Sequence, residues 1–247
     1  MILYFSATGN CKYVAEEIAK ALDDRAVSIL TTDTQELKDT CLGIICPTYA
    51  FGIPSVVEDF LRRQPITKQG NYLFFLATYG TTPGQSGYFA GKALQVASGV
   101  TFDACFSVKM PDTWTPMFDL SDEKKVAHIT ENVEPQLEYV IKAIRERQTG
   151  NRMQNRIPAL ARLIYRPYYN RMRRTKKFSL ENNCIGCGLC AQKCPVAAIK
   201  MVDGKPVWTK NQCVMCLGCL HRYPKFAIQY GRNTKKHGQY KNPHVTV

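Results

Sequence analysis

The sequence lacks the features that mark several large protein classes. None of its apolar stretches approaches the roughly 20 residues needed to cross a bilayer. The N-terminus, Met1-Ile-Leu-Tyr-Phe-Ser, has no basic region before its short apolar run. It therefore reads as a first strand rather than a secretion signal, and the cytoplasm is the expected location. GxxxxGK[ST] and GxGxxG are both missing, which leaves a nucleoside-triphosphate P-loop unsupported and weakens the case for a nicotinamide dinucleotide. The four histidines, His128, His221, His237 and His244, form no recognisable triad, and no acid–base pair or nucleophile stands out. Acidic residues are scarce: 20 against 33 Lys and Arg, for a formal net charge of +13. Between 152 and 177 there is no acidic residue at all, while Arg152, Arg156, Arg162, Arg166, Arg171, Arg173, Arg174, Lys176 and Lys177 fall there. Such a stripe attracts an acidic protein, an anionic membrane face or nucleic acid. Hydrophobic residues make up 45% of the chain and charged ones 21%, enough to bury a core and to exclude global disorder.

Cysteine is abundant and unevenly placed. Seven of the 11 lie between 184 and 219. In a reducing compartment such a cluster reads as a metal site before it reads as a disulfide framework. Cys11, Cys41, Cys46 and Cys105 sit in apolar surroundings and read as small buried hydrophobes. The run Cys184-x2-Cys187-x2-Cys190-x3-Cys194-Pro195 has the spacing that wraps a loop around a 4Fe–4S cubane. Three thiolates reach three irons, and the fourth cysteine serves a second cluster. Zinc, which favours four ligands in two separated pairs, fits this pattern poorly. The segment is also half of a repeat with a 29-residue offset. Cys184, Cys187, Cys190, Pro195, Ala198 and Ile199 recur as Cys213, Cys216, Cys219, Pro224, Ala227 and Ile228. Crossed ligation gives one complete set, Cys194, Cys213, Cys216 and Cys219. The other set, Cys184, Cys187 and Cys190, has Tyr223 where its fourth cysteine belongs. That site could hold a 3Fe–4S cluster, or a cubane completed by Tyr223, by water or by a neighbour such as His221. It could also stay empty, with Tyr223 simply packing nearby.

The first 148 residues alternate strand and helix. Apolar strands are expected at 2–5, 26–30, 42–46, 72–77 and 102–108. Helical spacing follows at Cys11, Val14, Ala15, Ile18 and Leu22, at Val56, Val57, Phe60 and Leu61, and over 88–96. A last helix is expected to start on a Ser121 cap, with Asp122 and Glu123 in its first turn, and to run through Val126, Ile129, Val133, Leu137, Val140, Ile141 and Ile144. This alternation implies a parallel sheet covered on both faces. Residues 149–177 form a basic amphipathic connector with Met153, Ile157, Leu160 and Ile164 on one face, ended by Pro167. The iron–sulfur unit then occupies 178–232, and a polar, basic tail over 233–247 is expected to lie along the surface.

The first strand-to-helix turn reads Ser6-Ala7-Thr8-Gly9-Asn10-Cys11. Its amides and hydroxyls can meet an anion at a helix N-terminus. The turn resembles the phosphate loop of flavodoxins, with Cys11 where that family usually has a hydroxyl. The resemblance implies a doubly wound five-stranded sheet of order 2-1-3-4-5 binding FMN at the carboxyl ends of its strands. It places Pro47, Thr48, Tyr49, Phe51 and Gly52 after the third strand beside the flavin, and Thr78, Tyr79 and Gly80 after the fourth. Tyr49, Phe51 or Tyr79 would stack on the ring. The whole order resembles flavodoxin–ferredoxin fusions of anaerobic bacteria and archaea, with a small α+β two-cluster ferredoxin-like domain at the end. It implies an oxidoreductase or low-potential electron carrier that uses FMN and iron–sulfur clusters and serves redox partner proteins, acidic ones if the basic stripe docks them, or a small substrate at the flavin. The rival reading is a nucleic-acid-binding protein with structural or sensory clusters, suggested by the arginines and by Tyr165, Tyr168 and Tyr169. It leaves the flavin loops unexplained.

Overall fold

The computed structural model describes the chain except residues 33–36, 38, 65, 69, 155 and 156. Strands β1 (Ile2–Tyr4), β2 (Ala26–Ser28), β3 (Cys41–Pro47), β4 (Tyr72–Tyr79), β5 (Ala104–Lys109) and β6 (Gly150–Asn151) form one sheet of order β2-β1-β3-β4-β5-β6. Every pairing in it is parallel. The two-residue β6 is one strand more than the sequence suggests, and so short an edge carries no apolar signature. β4 is buried along its whole length, and its side chains sort by the two-residue period. Leu73, Phe75 and Ala77 join Val57 and Leu61 of α2 (Ser55–Arg63) and Ala90 and Leu94 of α3 (Ser86–Ser98). Tyr72, Phe74 and Leu76 face Val14 and Ile18 of α1 (Asn10–Ala21) on the other side. Gly43 of β3 is required there, because a Cβ would lie 2.3 Å from the Phe74 ring.

The last helix of this half differs from expectation. It is two helices, α4 (Glu123–Glu131) and α5 (Glu134–Arg145). Asp122, not Ser121, is the cap, accepting from the Lys125 amide at 3.1 Å, while Ser121 donates to Asp119. Pro135 suits the first turn of a new helix and forces a restart. Val133, Leu137, Val140 and Ile144 join the core, whereas α4 buries none of its residues.

Two further expectations fail in the connector. Helix α6 (Ala161–Met172) runs through Pro167 instead of stopping there. Its buried side chains are Tyr165 and Tyr169, while Leu160 and Ile164 are exposed and Met153 alone of that predicted face is in the core. Hydroxyls explain the choice, since each buried tyrosine finds partners. Tyr165 donates to the Ile53 carbonyl, and its ring fills the space a Gly52 Cβ would take. Tyr169 accepts from the Ser55 amide (3.2 Å) and donates to the Val214 carbonyl (2.9 Å). Arg166 and Arg62 both bind Glu58, and although burial would raise that carboxyl, these partners hold it below the usual range. Arg156 of the basic stripe lies outside the described residues.

The cysteine unit is built by two interlocked halves. β7 (Phe178–Leu180) pairs antiparallel with β10 (Ile228–Tyr230), and β8 (Ile199–Val202) with β9 (Lys205–Trp208). The 29-residue offset extends to the short helices α7 (Leu189–Gln192) and α8 (Gly218–His221). It extends to backbone angles as well: Gly186 and Gly188 (φ 66° and 74°) correspond to Met215 and Leu217 (φ 59° and 52°). After α9 (Thr234–His237) the chain returns to the start of α1, burying Tyr240 and Asn242. The tail is thus packed rather than superficial, because its polar groups complete those of the loop beneath. We predict that Tyr169→Phe, which strips the Val214 carbonyl and the Ser55 amide of a shared partner, lowers stability by about 1–3 kcal/mol, read as an earlier urea unfolding midpoint.

Candidate functional site

Parallel strands direct their following loops to one side, and the chain reverses its strand order between β1 and β3. A cavity of about 330 Å³ opens at that switch point. Ser6, Thr8, Asn10, Cys11, Pro47, Thr48, Tyr49, Phe51, Thr78, Tyr79 and Gly80 all line it. Two expected residues do not: Gly52 accommodates Tyr165, and Gly9 turns towards the tail, where a Cβ would lie 2.7 Å from that of Asn242. The sequence reading missed Met110, Asp112, Thr113 and Trp114 after β5, Tyr168 and Met172 of α6, and Met215, Cys216 and Leu217 of the cysteine unit. Nothing local marks them, since they reach the cavity only through tertiary folding.

Gly9 enters α1 with φ 101°, and its amide donates to Ser6 Oγ at 3.1 Å. Among the described residues, the amides of Thr8, Asn10, Cys11 and Lys12 have no protein acceptor. These free donors at a helix start make an anion site. The Asn10 side chain is already committed. Its Oδ1 accepts from Tyr240 Oη (2.8 Å) and Asn242 Nδ2 (3.2 Å), and its Nδ2 donates to the Pro111 carbonyl (3.3 Å). The Asn242 amide caps the Thr8 carbonyl at 2.7 Å. Cys11 Sγ lies 3.1 Å from Thr78 Oγ1, and burial pushes that thiol up to about 12, against the pull of Thr78.

The loop after β3 holds Ala50 and Phe51 in left-handed conformations (φ 51° and 74°), closed by reciprocal backbone bonds between Tyr49 and Gly52. Strain of this kind in non-glycine residues collects at functional sites. Phe51 stacks on Tyr168 with centroids 6.0 Å apart. Tyr49 instead packs towards Tyr169, and burial, with the nearby Cys216 thiol, raises its pKa well above the ordinary value. Tyr79 is buried at the end of β4. Asp112 places a carboxylate on the cavity wall. Its Oδ1 accepts from the Trp114 amide (3.1 Å) and its Oδ2 from Thr81 (3.3 Å). Burial raises its pKa despite both bonds, so this carboxyl holds its proton to higher pH than a free one.

Cys194, Cys213, Cys216 and Cys219 line one small cavity walled by Phe178, Ile199, Trp208 and Val214. The Ala198 amide donates to Cys194 Sγ (3.3 Å) and the Met215 amide to Cys213 Sγ (3.2 Å). Among the described residues no three His, Cys, Asp or Glu side chains gather closely enough for a single ion. Four thiols around an apolar cavity, with amides directed at sulfur, fit a cluster. Burial and neighbouring thiols push Cys213 up to about 12 and Cys219 well above its ordinary value, so assembling a cluster here displaces protons. In the other set Cys187 is exposed, Cys184 half-buried and Cys190 buried. Tyr223 Oη donates to Cys184 Sγ at 3.1 Å and accepts from the Ile185 amide at 3.1 Å. His221, the alternative fourth ligand, is used elsewhere. Its Nδ1 accepts from the Tyr240 amide (3.2 Å), so Nε2 carries the proton and donates to the Thr113 carbonyl (2.9 Å). Burial lowers its pKa to about 4. Cys11 and Cys46 are buried and Cys41 and Cys105 half-buried, in keeping with small core residues.

A family model described as a flavodoxin domain matches residues 1–136. The chain belongs to this flavodoxin-domain family. A second model, a 4Fe–4S binding domain, matches residues 180–200, so this flavodoxin-domain protein is a fusion with a ferredoxin-type unit. The first match implies a bound flavin and the second a 4Fe–4S cluster. No curated protein sequence matches the chain. Similar solved structures include a flavodoxin from the domain Archaea, at 16% identity over 56% of this chain and 96% of that one, with a TM-score of 0.37. They also include a flavone reductase, at 12% identity over 84% and 80%, with a TM-score of 0.36. At such scores they add nothing to the topology traced above. Among the described residues no helix is long and apolar enough to cross a membrane. Removing residues 240–247 uncovers the Thr8 carbonyl and frees Asn10. We predict that the truncated protein binds flavin at least about tenfold more weakly by fluorescence titration, with its iron content unchanged.

Proposed function

We propose that the protein passes electrons between an FMN in the 330 Å³ cavity and the cluster of Cys194, Cys213, Cys216 and Cys219, as a carrier or as an oxidoreductase acting at the flavin. One observation carries the reading: Cys216 lines both cavities. With Leu217, which also lines both, it forms the wall between a group bound in one and a group bound in the other. When bound, FMN supplies one- and two-electron exchange, and a cubane supplies single electrons at low potential.

The residues have distinct tasks. The amides of Thr8, Asn10, Cys11 and Lys12 receive the phosphate, with Ser6 and Thr8 contributing hydroxyls. Phe51, Tyr168 and Trp114 offer rings to the isoalloxazine, while Met215 and Leu217 close the wall towards the cluster and exclude water. Asp112 can hold a proton on Oδ2 at the cavity edge. Arg222 donates from Nη2 to the Ser6 carbonyl at 3.0 Å, and its charge lowers the Cys216 pKa against the larger effect of burial. That charge favours a more negative, reduced cluster. The nucleic-acid reading loses its aromatic platform, because Tyr165 and Tyr169 are buried.

The chain has covalently fused its donor and acceptor, so exchange between them has a high effective concentration. In anaerobic rapid mixing, the cluster-to-flavin transfer rate of the FMN- and iron-loaded protein is expected to stay constant as protein concentration changes. A rate proportional to concentration would mean transfer between molecules and would refute the shared-wall reading. The exposed Arg171, Arg174, Lys176 and Lys177 form a docking face for an acidic redox partner. Raising salt should slow transfer to such a partner, a small acidic ferredoxin serving as probe, and leave internal transfer unchanged.

A further inference from the structure

The first cysteine triplet is one ligand short, and the residue at its open corner is already engaged. We propose that Tyr223 serves this triplet as a hydrogen-bond donor to Cys184 Sγ and not as a ligand, and that the site holds a three-iron, four-sulfide cluster on Cys184, Cys187 and Cys190. The inference rests on the reading of residues 178–232 as cluster-bearing.

The 29-residue offset that relates the halves carries Cys194 onto Tyr223. Tyr223 occupies that place as a buried side chain, only 2% exposed. Its Oη stands 3.1 Å from Cys184 Sγ. Two ligands on different irons of one cubane are held apart by an iron–iron edge and by the outward splay of both terminal bonds, well beyond hydrogen-bonding distance. The observed contact is therefore that of a phenol donating to a ligand sulfur. The same oxygen accepts the Ile185 amide at 3.1 Å, inside the loop that carries the triplet. Ligation would break both bonds and remove the phenol proton. The backbone is pinned too, since Gln239 Nε2 donates to the Tyr223 carbonyl at 2.8 Å.

The alternatives on the chain are spent. Both ring nitrogens of His221 are engaged, on Thr113 and Tyr240. The remaining thiols of the unit belong to the complete set. A fourth iron at this corner would have no protein ligand, whereas a cluster lacking that iron needs only the three thiolates present. With one thiolate fewer, and with a hydrogen bond to sulfur, this cluster takes an electron more readily than a four-thiolate cubane. Cys187 is exposed, so this is also the cluster nearer the solvent.

An oxidised three-iron cluster is paramagnetic, whereas an oxidised cubane is silent. The test is electron paramagnetic resonance with iron analysis on full-length protein kept anaerobic throughout. The wild type should give an oxidised-state signal of about one spin and about seven irons per chain. Tyr223→Phe should keep both and lower the midpoint potential of that signal. Tyr223→Cys should abolish the signal and raise iron to about eight. A silent wild type with about eight irons, or with about four, overturns the proposal, as does loss of one iron in Tyr223→Phe. The Cys184→Ser chain retains the complete set and reports it by a reduced-state signal. An empty second site, the failure of the broader reading, is thereby recognised separately.

Discussion

The loops at the carboxyl edge of the parallel sheet must be covered, and here the cover is the chain's own cysteine unit. His221 donates to the Thr113 carbonyl, Arg222 to the Ser6 carbonyl, Asn242 to the Thr8 carbonyl and Tyr169 to the Val214 carbonyl. The first three tie loops of the sheet half to the cysteine unit and its tail, and the last ties the connector helix to the cysteine unit. Val214, Val196 and Cys216 continue the apolar core begun by Leu3, Leu42 and Phe75. The proposed transfer between flavin and cluster follows from this seam, because it is the seam that puts Cys216 on the cavity wall. Backbone strain gathers along it as well. Ala50, Phe51, Met215 and Leu217 adopt left-handed angles, at about 1–3 kcal/mol each, and all four line the cavity. In the first half of the repeat the places of Met215 and Leu217 are taken by glycines, which adopt such angles freely. The second half accepts strain and gains two apolar side chains against the cavity.

Charge is arranged around the same seam. Thiolates and phosphate are anionic, and a chain of net charge +13 is suited to hold them. Arg222 lies between the Ser6 carbonyl and Cys216, and its buried Nε has no partner among the described residues. Other arginines of the basic stripe are structural rather than free. Arg166 pairs with Glu58, Arg173 donates to the Cys213 carbonyl (2.7 Å), and Arg162 lies over the Tyr88 ring (3.6 Å). These residues anchor the two halves, while Arg171, Arg174, Lys176 and Lys177 at the C-terminal end of the connector are exposed.

Local signals were legible in the sequence and tertiary ones were not. The buried strands, the polar turn over 6–11 and the cysteine repeat are short motifs legible from their spacing, and the parallel sheet and the two related halves of the cysteine unit appear where they indicate. Pro135 and Pro167 show the limit. Both are prolines in helical patterns, but one starts a helix and the other sits inside one, held by Tyr165 and Tyr169 on either side. The apolar stripe of Leu160 and Ile164 suggested the wrong buried face, because the choice was made by hydroxyl partners 45 to 114 residues away. Asp112, Trp114 and the tail residues Tyr240 and Asn242 carry no periodicity. They matter only because the fold brings Tyr240 and Asn242 to the loop at Gly9 and Asp112 and Trp114 to the cavity wall.

The central claim is that flavin and the complete cluster share the Cys216 wall. Anomalous diffraction at the iron edge, from anaerobically grown crystals of the FMN-loaded protein, tests it most directly. The account predicts an iron peak among Cys194, Cys213, Cys216 and Cys219, with flavin density in the adjoining cavity and the Cys216 side chain between them. Flavin density elsewhere, or an iron peak that leaves Cys216 unligated, would contradict it.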